Sequence, residues 1–173
     1  TSIEIPDSVT TIGDSCFNSC NQMTHVTIGK GVTTIGDYAF RCDKIERFIG
    51  KFAKDNGRCL IIDNVIIAYA SASGNTYTIP DGVTRIGSAF ISSDLESITI
   101  PHSVTSITKS AFSSCSKLKY IYCKPITPPT LYNDTFSSTP NDRRIYVHPE
   151  SVEAYKNAEY WNKYAANIVP YEF

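Results

Sequence analysis

Few residues of this sequence have the types and the spacing that catalysis or metal binding requires. The six cysteines never occur as a Cys-x-x-Cys pair, so neither a zinc site nor a thioredoxin-like redox motif is supported. His25, His102 and His148 stand far apart along the chain. We interpret His102 and His148 as solvated turn residues, because each has a proline as its neighbour.

Motifs for nucleophilic or phosphate chemistry are also missing. There is no G-x-S-x-G nucleophile elbow, and Gly29-Lys30-Gly31 is a turn within a repeat rather than a phosphate-binding loop. Aspartates recur beside turns, which turn formation explains better than acid–base or calcium chemistry. These aspartates are Asp7, Asp14, Asp37 and Asp81. We therefore predict that the chain is not an enzyme, with no catalytic residues, no cofactor and no metal site.

The cysteines are expected to be small buried thiols that pack as apolar side chains. They are Cys16, Cys20, Cys42, Cys59, Cys115 and Cys123. One pairing is conceivable, between Cys20 and Cys42, if these two residues lie on adjacent turns of the chain. Their redox state therefore stays open at this point.

Composition excludes several classes of function and favours β structure. Sixteen Lys and Arg against 17 Asp and Glu leave a net charge of −1, which argues against a binder of nucleic acid or anionic membranes. No apolar run approaches the roughly 20 residues of a transmembrane helix. Ile, Val and Thr make up 47 of the 173 residues, whereas Leu occurs four times. Because β-branched side chains suit strands, we predict mostly β structure and turns.

An internal repeat organises the chain. Residues 3–13 align with residues 26–36 at an offset of 23, and the same pattern returns at 77–87 and 98–108. Each copy continues to a small residue and a phenylalanine, so the unit reads I-x-I-P-x-x-V-T-x-I-G-x-x-A-F-x-x-C-x-x-L. A degenerate copy follows at 121–147. This many shared positions exceed chance by far.

Each repeat unit predicts a strand, a turn and a return segment. The alternating I-x-I buries one face of a short strand, and the following Pro or Gly ends it. One such coil cannot bury its own apolar side chains, whereas stacked coils form continuous apolar columns. Strands of successive coils would pair in parallel, about 4.8 Å apart. We predict a solenoid, mainly β, with a parallel strand ladder and short irregular or 3-10 segments on its convex side.

The repeats are interrupted once and end in a different pattern. The interruption contains Asp55-Asn56-Gly57 and Asp63-Asn64 around apolar runs, which predicts a β-hairpin meander. From Val152 to Ile168 apolar residues recur at helical spacing, which predicts a helical cap over the last coil. The predicted single domain, 1–173, has repeats near 3–25, 26–48, 77–97, 98–120 and 121–147, an insertion at 49–76 and a cap at 148–173. Because Thr1 is not Met and lies inside a repeat, we expect a trimmed or processed piece.

The repeat motif resembles the BspA-like, Treponema-type leucine-rich repeat. The resemblance extends into the insertion at 50–53 and 56–61, and into the C-terminal part at 146–155 with Trp161 and the Tyr-Ala pair at 164–165. This combination is similar to secreted or surface repeat proteins of Bacteroides-type gut and oral bacteria. It implies a leucine-rich-repeat-like solenoid, an extracellular or cell-surface location, and adhesion or protein–protein interaction with varied partners.

The outward positions of the strands are the predicted binding surface. In a stack of repeats, the exposed side of the sheet is available to a partner. Tyrosines gather there at the C-terminal end, and a tyrosine ring offers apolar area with a polar tip. The predicted partner-binding residues are His25, Thr27, Arg47, Thr99, Tyr120, Tyr122 and Tyr146. The alternative is that the Pro-rich segment or the cap folds over the tyrosines.

The resemblance and this surface together predict a recognition module rather than a catalyst. We expect it to bind a host, matrix or other surface protein through the strand side of the solenoid. Carbohydrate binding by the same tyrosines is one alternative, and an inert spacer within a longer repeat stalk is another. Neither a nucleic-acid partner nor a transmembrane segment is expected.

Overall fold

The computed structural model describes residues 1–173, and short strands dominate it. The strands are β1 (Ser2–Ile5), β2 (Thr11–Ile12), β3 (His25–Ile28), β4 (Thr34–Ile35), β5 (Arg47–Gly50), β6 (Ala53–Lys54), β7 (Cys59–Ile62), β8 (Val65–Tyr69), β9 (Thr76–Thr78), β10 (Arg85–Ile86), β11 (Ser97–Ile100), β12 (Ser106–Ile107), β13 (Tyr120–Cys123), β14 (Arg144–Val147) and β15 (Ile168–Pro170). The single α-helix, α1, spans Val152–Asn157. The 3-10 segments are Asp55–Gly57, Ser71–Ser73, Ser88–Phe90, Pro149–Ser151 and Trp161–Asn167.

Two parallel sheets carry the I-x-I part of the repeats. The first sheet contains β1, β3 and β5, and the second contains β9, β11, β13, β14 and β15. Ile3 pairs with Val26, and Ile98 pairs with Ile121. Because the pairing offset equals the sequence period, equivalent positions of neighbouring repeats lie side by side. The prediction of parallel strands in a mainly β, leucine-rich-repeat-type fold is confirmed.

Short strands on the other side of each turn form a second set of pairs. β2 pairs with β4, and β8, β10 and β12 follow one another in a further sheet. Ile86 pairs with Ile66 on one side and with Ile107 on the other. The V-x-x-I-G part of the repeat therefore returns opposite the strands, and the apolar side chains of both parts meet between them.

The core consists of columns of equivalent apolar side chains. Ile98 and Ile121 are fully buried at the same position of adjacent strands. An aromatic column runs beside them: the rings of Phe90, Phe112 and Phe136 stack at centroid distances of 5.3 Å. All three rings are excluded from solvent. Stacking of successive repeats thus buries the apolar side chains that a single repeat would leave exposed.

The insertion forms the predicted antiparallel meander. β6 pairs with β7, and β7 pairs with β8. The Asp-Asn pairs at 55–56 and 63–64 have φ angles between 47° and 61°, a region that Asp and Asn tolerate better than most residues. Neighbouring residues of β7 enter different cores: Leu60 packs with the N-terminal apolar cluster and Cys59 with the C-terminal one. The hairpin therefore joins the two cores at the place where the parallel sheets are interrupted.

The helical periodicity of the C-terminal segment is confirmed only in part. The α-helix ends at Asn157, and the next helical residues, Trp161–Asn167, form a 3-10 segment. The prediction that Ile168 continues the helical stripe is wrong, because this residue begins β15 and pairs with Ile145 of β14. The physical reason is that β14 would otherwise be an edge strand with unpaired backbone groups, which β15 satisfies.

The cysteines are free thiols, and their burial depends on the turn that holds them. The buried ones are Cys42, Cys59, Cys115 and Cys123. Cys16 and Cys20 are exposed, contrary to the prediction. They belong to the first repeat, whose strands β1 and β2 are edge strands with no further repeat packed against them. The conceivable Cys20–Cys42 pairing is not formed, and the Cys42 thiol instead donates a hydrogen bond to the carbonyl of Phe17 at 2.7 Å.

Burial of these thiols predicts a loss of stability at high pH. Desolvation raises the pKa of Cys123 from 9.0 to about 12. Because the pKa of the folded state is the higher one, the stabilising contribution is complete below the unfolded pKa and is lost as the pH rises from about 9 towards 12. We expect the free energy of unfolding to fall over this range, and Cys123→Ala to flatten the fall. Urea denaturation at a series of alkaline pH values measures the slope.

The exposed Cys16 supplies the matched control for this measurement. Cys16→Ala removes a thiol that solvent reaches in the folded protein, so the slope of stability against pH should stay that of the unmodified chain. Equal slopes for Cys123→Ala and Cys16→Ala would contradict the assignment of the alkaline loss to the buried thiol.

Candidate functional site

The outer side of the second sheet carries a row of side chains that alternate with the core. Thr99 of β11, Tyr122 of β13 and Tyr146 of β14 occupy equivalent positions, because each pairs with the next. The residues before and after each of them are buried. Since successive side chains of a strand point to opposite faces, all three point outward. We call the outward side chains of β9, β11, β13 and β14 the strand face.

Three tyrosine rings pack together at the C-terminal end of the strand face. The rings of Tyr122 and Tyr146 stack with centroids 4.8 Å apart and planes 13° from parallel. Tyr171, which follows β15, meets both rings edge-on at 5.3 Å. Desolvation raises the pKa of Tyr122, and the neighbouring tyrosine hydroxyls, Tyr146 first, raise it further. Because phenols ordinarily titrate near 10, this hydroxyl is a protonated hydrogen-bond donor at neutral pH.

Tyr120 and the three packed tyrosines, Tyr122, Tyr146 and Tyr171, together form the aromatic surface, and Tyr120 is its open member. It occupies the first position of β13, and 43% of its surface is exposed. Arg144 has the equivalent position on β14 and is also exposed. The strand face therefore presents an uncovered ring and a cation beside the packed tyrosines.

His148, beside the packed tyrosines, is not the solvated turn residue that the sequence predicts. His102 is exposed, as expected of a turn residue, but His148 is half-buried and its Nε2 atom has no hydrogen-bond partner. The cause is Phe173, whose ring lies 4.7 Å from the His148 ring, with His102 stacked at 5.6 Å on the same imidazole. The Lys124 ammonium lies 5.8 Å from the centroid of the Phe173 ring. The end of the chain thus lies over this part of the surface.

The predicted partner-binding residues lie on two separate sheets. His25 and Thr27 are on β3 and Arg47 is on β5 of the first sheet, where His25 pairs with Arg47. The His25 Nδ1 atom lies 3.0 Å from the Thr24 hydroxyl. The second sheet brings together Thr99, Tyr120, Tyr122 and Tyr146. The insertion stands between the two groups in the chain, and the two sheets share no strand pairing.

Sequence reasoning missed Tyr171 and Phe173. Each is 41% exposed. Tyr171 packs on the rings of Tyr122 and Tyr146, and Phe173 packs on Tyr171. A signal for them was present: residues 168–170 read Ile-Val-Pro, which matches the strand ending of the repeats. The alternative that the C-terminal segment covers the tyrosines is realised for Tyr122 and Tyr146, which are half-buried, but not for Tyr120.

The chemistry that this surface offers is recognition. Ring faces and edges provide apolar contact, phenol hydroxyls donate hydrogen bonds, and Arg144 and Lys124 provide positive charge. No group of three or more His, Cys, Asp and Glu side chains is placed to hold a metal ion. None of the helices has the length and the apolar character needed to cross a bilayer.

Comparison with known sequences identifies the repeats. The pattern that describes the BspA type leucine rich repeat region matches residues 1–54 and 66–166, in six copies. The unmatched residues between these ranges, 55–65, lie inside the insertion and include both of its tight turns. No curated protein matches the chain.

Solved structures that share the fold at low sequence identity include three bacterial repeat proteins. A leucine rich cell surface protein from Faecalibacterium prausnitzii superimposes with a TM-score of 0.59 at 24% identity, over 99% of this chain and 60% of that one. The pneumococcal vaccine antigen PcpA gives 0.55 at 14% identity, over 98% and 66%. A leucine-rich repeat protein from Eubacterium ventriosum gives 0.54 at 22% identity, over 85% and 47%. The chain therefore spans less than two thirds of each of these proteins.

Proposed function

The chain belongs to the BspA-type leucine-rich repeat family, and on this premise we propose that it is a non-catalytic recognition module that binds a protein through its strand face. The partner is a host, matrix or other surface protein. The module acts in the extracellular space or on the bacterial surface, as is typical of the family. One of the structures that share its fold is a cell surface protein by name, which agrees with this location.

We also propose that residues 1–173 form one continuous solenoid domain with the repeat boundaries predicted from the sequence. The support is the hairpin of β7 and β8, whose side chains enter both apolar clusters. The segment 148–173 then serves as its C-terminal cap, since Trp161 packs against Phe136, the last ring of the aromatic column. A rigid domain of this kind holds its outward side chains in a constant arrangement.

The observation that carries the proposed function is the aromatic surface around Tyr120. Exposed tyrosines are enriched where proteins bind one another, because a ring provides a large contact area at a small cost in conformational entropy. Tyr120 is open, and Tyr122, two residues further along the same strand, packs with the rings of Tyr146 and Tyr171. Such an ordered platform suits binding better than mobile side chains would.

The size of the surface indicates how much of the chain a protein partner must use. Its four strands, each about 4.8 Å wide and with about four residues at 3.3 Å, form a plane of only about 250 Å². A stable complex buries roughly 800 Å² on each partner. A protein partner therefore extends beyond the strand face, and we propose that His25, Thr27 and Arg47 on the first sheet belong to the same interface.

Replacement of Tyr120 tests the function. We expect the chain to bind at least one protein in a panel of immobilised matrix proteins, and Tyr120→Ala to weaken that binding by roughly thirtyfold, as expected for a central aromatic anchor. Tyr132 is the matched control, because it is 46% exposed but lies outside the strand face. Surface plasmon resonance with both variants gives the two affinities.

The other outcomes of this experiment also have defined meanings. Equal affinity of Tyr120→Ala and the unmodified chain would show that binding does not use the strand face. Absence of binding to every protein, in a chain of normal stability, would contradict the proposal and favour a spacer role. Binding to glycans alone would favour the carbohydrate alternative.

A further inference from the structure

We propose that a polar cleft between the insertion and the strand face binds a neutral sugar ring. The cleft has a volume of about 270 Å³ and is lined by Asp55, Arg58, Thr76, Thr78, Ser97 and Thr99. It is distinct from the aromatic surface around Tyr120 and goes beyond the proposed function, since it requires no protein partner.

One wall of the cleft is the guanidinium of Arg58, which the protein holds in place. Its Nε donates a hydrogen bond to the Ser73 hydroxyl at 3.3 Å, and one Nη donates to the Thr76 carbonyl at 2.9 Å. The guanidinium also lies over the ring of Tyr77, 4.7 Å from its centroid. These contacts use only part of the five donors of an arginine, so several N–H groups remain for a ligand.

Asp55 lines the same cleft three residues before Arg58, and its carboxylate has no partner within the protein. None of the ion pairs of the chain includes it, and no hydrogen bond reaches its side-chain oxygens. The tight turn at 55–56, with φ angles of 50° and 54°, sets the position of this side chain at the rim of the cleft. A carboxylate held in this way accepts hydrogen bonds from a ligand and cannot donate them.

The floor of the cleft consists of hydroxyl groups that are also unengaged. The side chains of Thr76 and Thr78 on β9, and of Ser97 on β11, make no hydrogen bond within the protein. In contrast, the hydroxyls of Ser103 and Thr105, on the return side of the repeats, donate to backbone carbonyls. The cleft thus concentrates groups that both donate and accept, all facing one small volume.

This combination of groups selects a neutral polyhydroxylated ligand. One carboxylate and one guanidinium cancel in charge, so neither an anion nor a cation is favoured over a neutral molecule. The volume lies below the roughly 300–1,000 Å³ typical of sites for drug-sized ligands, so the cleft accepts a single ring. Sugar hydroxyls donate to a carboxylate, accept from a guanidinium, and do both with threonine and serine.

The cleft also opens towards the tyrosines. Thr78, Thr99 and Tyr122 occupy equivalent positions of three successive strands, so each lies about 4.8 Å from the next. A second sugar attached to the ring in the cleft would therefore reach the aromatic surface. Since aromatic rings bind apolar faces well, the neighbouring surface suits the face of a pyranose.

The insertion supplies the two charged side chains of the cleft. Asp55 and Arg58 lie in residues 55–65, which the family pattern does not match, whereas the strands of the floor are matched. The insertion therefore adds the two charged groups to a surface that the repeats alone would leave with hydroxyls only.

Nuclear magnetic resonance titration of the labelled chain with methyl glycosides tests the proposal. The probes are methyl glycosides of glucose, galactose, mannose and the two common N-acetylhexosamines. We expect one of them to bind with a dissociation constant on the order of 1 mM and to shift the amides of Arg58, Thr78 and Thr99. Asp55→Asn should weaken binding about tenfold or more, because a hydrogen bond to a charged acceptor is lost.

The chain offers a close control for this variant. Asp63 begins the other Asp-Asn turn of the insertion, has a φ angle of 47°, and does not line the cleft. Asn tolerates this backbone region, so both Asp55→Asn and Asp63→Asn should fold normally. Asp63→Asn should leave the affinity unchanged. Thr99→Val, which keeps the shape of the side chain but removes its hydroxyl, should weaken binding as a second test.

Three results would overturn the proposal. The first is the absence of any saturable shift at concentrations well above the expected dissociation constant. The second is glycoside binding that shifts only amides near Tyr120 and survives Asp55→Asn. The third is a protein partner whose binding is lost in Asp55→Asn while no glycoside binds, which would assign the cleft to the protein interface.

Discussion

Replacement of Phe112 by alanine is expected to lower the free energy of unfolding by roughly 3–5 kcal/mol. The ring is completely buried and stacks between Phe90 and Phe136, with centroids 5.3 Å away on both sides. The variant loses the transfer free energy of the ring, leaves a cavity, and breaks two aromatic contacts worth about 0.5–1.5 kcal/mol each. Because both neighbours are held by their own repeats, the cavity cannot close easily. Urea denaturation followed by circular dichroism measures the change.

Phe17 provides the matched comparison for Phe112. It has the same position in the first repeat but is only half-buried and stacks on a single neighbour, Phe40, at 5.4 Å. Phe17→Ala should therefore cost roughly 1 kcal/mol. Similar losses for both variants would contradict the view that stacking between repeats, rather than the residue type, stabilises the fold. Coincidence of the circular dichroism and tryptophan fluorescence transitions shows whether the chain unfolds in one step.

Replacement of Trp161, the only tryptophan of the chain, should have an effect of similar size. Its indole is fully buried, lies 5.0 Å from the ring of Tyr155, and donates a hydrogen bond from Nε1 to the carbonyl of Pro129 at 2.7 Å. Trp161→Ala should lower the free energy of unfolding by roughly 3–5 kcal/mol. In this variant the Pro-rich segment before β14 loses its hydrogen bond from Trp161 and keeps the one from the Tyr155 hydroxyl to the Pro125 carbonyl, so this segment and the C-terminal segment should loosen together.

A second substitution separates packing from hydrogen bonding at this site. Trp161→Phe keeps most of the apolar contact but leaves the Pro129 carbonyl without its donor, which should cost roughly 1–3 kcal/mol. Thermal denaturation by circular dichroism compares the variants without relying on indole fluorescence. A loss below about 1 kcal/mol for Trp161→Ala would show that the C-terminal segment does not protect the last repeat.

The repeat made much of the fold predictable. Ile98 and Ile121 are one period apart in sequence and side by side in the sheet, so the register follows from counting. The hairpin turns at 55–57 and 63–64 were equally readable, because Asp-Asn and Asn-Gly pairs favour the backbone angles that such turns need. The end of the helical segment was not, since Ile168 fits a helical stripe and a strand about equally well.

The binding surface could be predicted only in part from the sequence, and the reason is a different one. The outward positions of Thr99, Tyr122 and Tyr146 follow from strand alternation. Whether Tyr122 and Tyr146 are open or covered depends on Tyr171, whose route after β15 no local pattern specifies. The exposure of Cys16 is a similar case, because the sequence of a repeat does not show whether a neighbour packs against it.

By itself, the sequence determined the repeating unit, the parallel register, the apolar columns and the antiparallel insertion. Each of these depends on residues that are close in the chain or one period apart, where local backbone preference and alternation decide the outcome. Only the tertiary structure decided that Asp55 and Arg58 face Thr99, and that Tyr171 closes over Tyr122. These residues have no periodic relation to one another, so they meet only because the insertion and the C-terminal strand pack onto the stacked repeats.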